Sequence, residues 1–322
     1  MSARLRPRAS TVRRLALASV VANAAIVVTG GAVRLTASGL GCPTWPRCTD
    51  TTLTPTAEYA AHGVIEFSNR LLTFALTAVV VAVLVAAVRA RPWRRDLVRL
   101  AAVGVLGIPA QAVLGGITVL TGLNPWTVMG HFLLSMVLIG VAVLLHRRAG
   151  EGDAPARPSV PPVLRRLSHA LLALTAAVLA VGTVVTGSGP HSGDPAAGRT
   201  GLDPGAVSQL HADLVFLLVG ATVGLWAALR AAGAHDTARA TLVLLGVELG
   251  QGVIGFAQYF THLPVVLVGL HLAGACLVLV AAVRVVLTTR DRGPLLSPAA
   301  AVPPARSAPP ILVPTAGTAT AR

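Results

Sequence analysis

Residues 264–288 read PVVLVGLHLAGACLVLVAAVRVVLT, a stretch whose only basic groups are His271 and Arg284 and which holds no acid. About 20 such residues wound as a helix rise roughly 30 Å, the thickness of a bilayer's hydrocarbon core. A helix that is apolar on every side does not suit the surface of a water-soluble domain. Working outward, comparable stretches occur at about 15–36, 62–88, 98–120, 127–146, 167–187, 206–229 and 240–260, each bounded by arginine clusters, proline or glycine. The whole chain agrees: of 322 residues, 54% are apolar and only 12% charged. The expected fold class is an all-α membrane protein of eight transmembrane helices.

The formal net charge of +14 does not call for a nucleic acid. Arginine-rich loops on the cytoplasmic side of a membrane protein account for it without a ligand. Arg4, Arg6, Arg8, Arg13 and Arg14, the cluster from Arg89 to Arg99, and the cluster from Arg147 to Arg166 alternate with arginine-poor loops. Only Arg34, Arg47, Arg70 and Arg199 fall at or near the other side, so both termini are expected in the cytoplasm and the chain in the plasma membrane. The first apolar stretch follows a basic start but is long and lacks a small-residue cleavage site, so it reads as a retained span. The organisation expected is a cytoplasmic tail at 1–14, a four-helix half at 15–146, a Gly/Pro/charge-rich linker at 147–166, a second half at 167–288, and a disordered Pro/Ala-rich tail at 289–322.

The halves resemble each other. Val27-Val28-Thr29-Gly30 returns as Val184-Val185-Thr186-Gly187. Gln111-Ala-Val-Leu-Gly-Gly leads to His131, and Gln251-Gly-Val-Ile-Gly-Phe to His271, in each case 20 residues after the glutamine. Two tandem four-helix-bundle repeats follow. Each would start and end on the cytoplasmic side, which sets a pseudo-two-fold axis along the membrane normal.

Of nine histidines, His146, His169 and His235 fall at cytoplasmic ends, and His191 and His262 in outer loops. His131, His211 and His271 instead lie a few residues inside spans that begin on the outer face, at similar depth. One such histidine alone could simply pack or hydrogen-bond to a neighbouring helix. Facing helices of a bundle can also supply both axial imidazoles of a haem, and His211 and His271 form such a pair in the second half. His131 takes the place of His271 in the first half, where Asn69 stands at the position of His211. His62, seven residues earlier on the same helical face, could replace it as an iron ligand only if helix or haem were displaced.

Glu66 shares that face with His62 and Asn69. A carboxylate inside a span is costly and suggests function, against the plainer reading of an ion pair with Arg70 at i+4. Glu248 and Asp213 read as packing or hydrogen-bonding groups. Cys42 and Cys48 flank Pro-Thr-Trp-Pro-Arg in an outer loop, where an oxidising compartment permits a disulfide; a redox or haem-handling dithiol is the alternative. The spacing fits neither c-type haem attachment nor structural zinc. Cys276 reads as a small buried apolar residue. Arg34 and Arg70, at the outer ends of their spans, are candidates to pair with haem propionates, or else snorkel to the interface.

Over about residues 15–288 the sequence resembles the haem A synthase family. The resemblance is carried by residues 29–43 (TGGAVRLTASGLGCP), Trp45-Pro46 before Cys48, Glu66-Phe67-Ser68-Asn69-Arg70, Gly130-His131, His211 and His271. It implies oxidation of the C8 methyl of haem O to a formyl group, giving the haem A of terminal oxidases. It implies haem b on His211 and His271, and substrate haem in the first half near Glu66 and His131, with Glu66 as an acid/base or intermediate-stabilising group. Haem O synthase, oxidase assembly factors and an electron donor are the implied partners, besides the lipid bilayer. The family commonly has histidine three residues after the glutamate, where this chain has Asn69. Two other classes compete: a membrane b-type cytochrome carrying electrons, and a transporter built from repeats.

Overall fold

The computed structural model describes residues 9–293. Arg4, Arg6 and Arg8, and the expected tail beyond residue 293, lie outside them. Among the described residues eight helices are long and apolar enough to cross a membrane: α1 (Ala9–Leu35), α2 (Ala60–Arg89), α3 (Arg95–Leu120), α4 (Pro125–Ala149), α5 (Pro162–Ser188), α6 (Pro204–Ala231), α7 (His235–Phe260) and α8 (Val265–Thr288). All eight expected spans are present. Several helices begin up to six residues before the apolar stretch, because hydropathy measures the hydrocarbon slab whereas capping sets the helix end. Pro125, Pro162 and Pro204 open α4, α5 and α6, where a missing N–H costs nothing. Asn124 and Asp203 cap α4 and α6 by accepting from the backbone N–H groups of Trp126 and Ala206.

Helices α1 to α4 pack in a ring, each against the next and α4 against α1; α5 to α8 do the same. The rings meet where α4 and α8 touch each other, with α1 on α8 and α5 on α4. Exchanging each helix for the one four places on leaves this set of contacts unchanged, the pattern a duplicated bundle would give. Separate apolar cores follow the division. One lies in the first half around Val12, Val83, Leu97 and Leu145, and one in the second around Leu171, Leu225, Leu244 and Val285. A third fills the seam with Met136, Ile139, Leu179 and Leu279.

Lipid is as apolar as leucine, so close packing rather than water exclusion holds such helices together. A Cβ on Gly31 of α1 would run into the Leu272 side chain of α8, which marks one place where the halves approach closely. Large side chains such as Phe74, Val253 and Phe260 remain exposed, as a lipid-facing surface requires.

The start of α1, the end of α4, the start of α7 and the end of α8 gather at one end of the bundle. There the His146 ring bonds the Arg13 carbonyl, Thr237 donates to the Thr288 carbonyl, and Gly152 donates to the Gly293 carbonyl. Residues 289–293, expected to belong to a disordered tail, are instead ordered. Arg290–Asp291 (β2) pair antiparallel with Arg157–Pro158 (β1), and Ser159 bonds the Thr288 and Thr289 carbonyls. The unsatisfied carbonyls at the end of α8 thereby find donors in the linker, a partnership of distant segments that composition does not reveal.

Candidate functional site

His131, His211 and His271 sit within the first eight residues of α4, α6 and α8. Each imidazole lies over a glycine of the preceding helix. A Cβ built on Gly115 would stand 3.1 Å from His131 Cε1, one on Gly182 3.1 Å from His211 Cε1, and one on Gly255 3.4 Å from His271 Cε1. The bare glycine surface is what leaves room for each ring. Gly115 and Gly255 are the fourth residues after Gln111 and Gln251, so the signal stood in the repeated Gln-x-x-x-Gly motif although its purpose did not. Gln111 Nε2 donates to the His131 carbonyl at 3.2 Å and to Ser135 Oγ at 2.7 Å, fixing α3 to the turn of α4 that carries the histidine.

The rings of His211 and His271 face each other with centroids 6.5 Å apart and planes at 76°. A metal–imidazole bond of about 2.0 Å, plus about 1.1 Å from nitrogen to ring centre on each side, puts two rings sharing one metal roughly 6 Å apart. The Nδ1 atoms of both rings, and that of His131, are buried without a hydrogen-bond partner. These unmet groups and the ring separation fit a metal held between two imidazoles. Among the described residues no three His, Cys, Asp or Glu side chains gather as a conventional metal site.

The first half has no matching pair of rings. Asn69 lies against Gly30 of α1, its Nδ2 3.7 Å from where a Cβ would stand, and its Oδ1 is buried without a partner. His62 is exposed and its Nδ1 bonds Ser38 Oγ at 2.9 Å, which ties it to the loop after α1.

That loop covers the first half. Cys42 and Cys48 are joined by a disulfide. Glu66 Oε2 accepts from the Cys42 N–H at 2.6 Å, and Glu66 Oε1 accepts from Arg70 Nη2 at 2.6 Å. The Arg70 guanidinium also donates to the carbonyls of Cys42, Thr44 and Arg47. The ion pair with Arg70 is therefore present, and its larger role is to clamp the disulfide loop. The Trp45 indole lies where a Cβ on Gly116 would be, beside the glycine that seats His131. The disulfide and the i+4 pair were legible in the sequence, whereas the hold of Arg70 on the loop carbonyls and the fold of Trp45 onto Gly116 were not. Arg34 reaches across the seam and donates to the Thr186 carbonyl at 2.6 Å, while its Nε is buried without a partner.

The remaining candidates have local partners. His169 and His191 bond the carbonyls of Arg165 and Leu263, Gln209 donates to Asp213, and Thr222 donates to the buried Glu248 at 3.0 Å. Cys276 is free and buried.

A family model described as cytochrome oxidase assembly protein, COX15-CtaA, matches residues 13–190, more than half of the chain. The chain belongs to this family. The cytochrome oxidase assembly match takes in α1 to α5 and the disulfide loop and stops before His211 and His271, so it is narrower than the resemblance read from the motifs. Curated relatives include the Heme A synthase of Symbiobacterium thermophilum, 31% identical over 54% of this chain and 58% of that protein. The Heme A synthase of Exiguobacterium sibiricum is 29% identical over 50% and 54%, and that of Halalkalibacterium halodurans 32% identical over 42% and 45%. The chain thus spans about half the length of the curated relatives it matches.

Proposed function

We propose that this member of the cytochrome oxidase assembly family is a haem A synthase, oxidising the C8 methyl of haem O to the formyl group of haem A, a four-electron change. The observation that carries the reading beyond family membership is the approach of His211 and His271 to 6.5 Å, a separation at which two imidazoles could hold one haem iron between them. His211 and His271 would hold haem b, with Gly182 and Gly255 leaving space for their rings. When bound there, haem b supplies one-electron redox chemistry that no side chain can.

The first half is the substrate half of this reading. His131, whose carbonyl accepts from Gln111 and Ser135, would be the imidazole that binds the substrate haem, and Asn69 would supply no second one. Glu66 would serve twice: its two oxygens hold the loop through Cys42 and Arg70, and its carboxylate would be the proton acceptor of this half. Trp45 and the clamped loop would exclude water from that half. Arg34 keeps one unpartnered N–H for a propionate. Arg70 would have to exchange loop carbonyls for one. We further place the chain in the plasma membrane with both termini cytoplasmic and its halves as tandem repeats, receiving haem O from a haem O synthase and delivering haem A to oxidase assembly factors.

Pigment extraction tests the reading. Cells making haem O and this chain are expected to accumulate haem A, and purified protein to carry haem b together with haem O, haem A or an oxidised intermediate. Haem b alone, with no haem A formed, would mark an electron carrier. Replacing His211 or His271 by alanine should remove the low-spin haem b spectrum. Glu66→Gln, which keeps an acceptor for Cys42, should abolish conversion, and wild-type conversion by that variant would end the proton-transfer role.

A further inference from the structure

At the arginine-rich end of the bundle, away from His131, His211 and His271, a cavity of about 610 Å³ lies among α3, α4 and the segment after α8. Six arginines line it, Arg94, Arg95, Arg99, Arg148, Arg290 and Arg292, against two acids, Asp96 and Asp153. Both acids are already taken: Asp153 pairs with Arg94 at 2.6 Å, and Asp96 with Arg148. Arg95, Arg99, Arg290 and Arg292 have no carboxylate partner among the described residues, and residues 1–8 and 294–322 contain no Asp or Glu to supply one. The Nε atoms of Arg290 and Arg292 are buried with no hydrogen-bond partner. Burial holds the Arg290 guanidinium below its ordinary value, and the charges of Arg292, Arg148 and Arg147 act in the same direction against Glu151 alone. Four unneutralised guanidiniums around one cavity, two with orphaned donors, form a site short of an anion.

A second cavity, of about 570 Å³, adjoins it, sharing Leu144 and Arg290. Its walls are mostly apolar, with Val137, Val141 and Leu144 from α4, Val283 and Val286 from α8, and Leu172 from α5, while Arg165, His169, Thr289 and Arg290 supply its polar lining. Val137, Val141, Leu144 and Arg148 fall on one face of α4, so a single stripe is apolar for two turns and ends in a charge. From 137 to 148 that stripe runs about 17 Å, close to the depth of one leaflet. Trp93, exposed beside the arginines and stacked under Arg95 at 5.7 Å, sits where an interfacial aromatic belongs.

We propose that the two cavities form one site for an anionic phospholipid, its phosphodiester between Arg290 and Arg292 and an acyl chain along the groove between α4 and α8. A zwitterionic lipid would bring its own cation into a cavity already in excess of positive charge. A free phosphate would leave the groove unfilled. The lipid would bridge α4 of one half to α8 of the other, across the seam.

The test uses the full chain, delipidated in a neutral maltoside detergent, with dioleoyl phosphatidylglycerol or dioleoyl phosphatidylcholine added at equal mole fraction. Bound lipid is counted by native mass spectrometry and the melting temperature is followed. Phosphatidylglycerol is expected to be retained about 25-fold over phosphatidylcholine, roughly five-fold for each of two arginines, and to raise the melting temperature. Arg290→Ala with Arg292→Ala, both beyond α8, should bring phosphatidylglycerol down to the phosphatidylcholine level. Gly140→Leu should reduce phosphatidylglycerol retention while every arginine stays in place, because a Cβ there is 3.9 Å from Val283 and the longer side chain enters the groove. Equal retention of the two lipids by the wild-type chain would overturn the proposal whatever the variants do. Displacement of phosphatidylglycerol by an equal concentration of glycerol phosphate or inorganic phosphate would also overturn it, in favour of a free-anion site.

Discussion

Gly182 offers the sharpest test of how the second-half site is built. A Cβ at this position would stand 3.1 Å from His211 Cε1 and 3.5 Å from Nδ1, whereas carbon atoms rest about 3.5–4.0 Å apart. Gly182→Ala therefore forces the ring to move by about 0.5 Å, more than the roughly 0.2 Å that a metal–ligand distance tolerates. Overpacking of this kind costs about 1–3 kcal/mol, which corresponds to about 5- to 150-fold weaker haem retention. Gly182→Leu places carbons where the ring now lies and should leave no low-spin haem b. The assay is haem per protein with the reduced-minus-oxidised spectrum of the purified chain. Glycine to alanine within a helix is itself worth about 1 kcal/mol of stability. Gly220→Ala, on α6 with nothing within 4 Å, supplies that control. Gly255→Ala, at 3.4 Å from His271, should be the milder of the two seat variants. Full haem content and an unaltered spectrum in Gly182→Leu would refute the seat and, with it, the ring placement behind the proposed ligation.

Two further outcomes concern the disulfide loop. Arg70→Leu leaves Glu66 buried without its cation and unties three loop carbonyls, which should cost about 3 kcal/mol, the lower end for a broken buried pair because Arg70 is partly exposed. Protease sensitivity across residues 42–48 and a lower melting temperature would report it, and a wild-type melting profile with an intact loop would count against the clamp. Cys48→Ser opens a loop of sequence separation 6 and should cost about 2 kcal/mol by chain entropy. Adding reductant to the wild-type chain should give a similar fall in melting temperature, and no change on reduction would show that the loop is held by Arg70 and Trp45 alone.

Eight helices, the placing of His131, His211 and His271 near the starts of three of them, and the pairing of Glu66 with Arg70 were legible in the chain itself. Each depends on hydropathy or on separations along one helix, and those quantities are local. Apolar sequence states that a helix lies in lipid but not which of its faces meets which neighbour, since lipid and protein interior favour the same side chains. So the glycine seats, the 6.5 Å approach of His211 to His271, the fold of Trp45 onto Gly116, and the gathering of Arg94, Arg148 and Arg290 from three distant segments were decided only by how the helices pack. The pairing of β2 with β1 is of the same kind, because the donors that complete the end of α8 lie more than a hundred residues away, in a linker whose composition alone marks it as a loop.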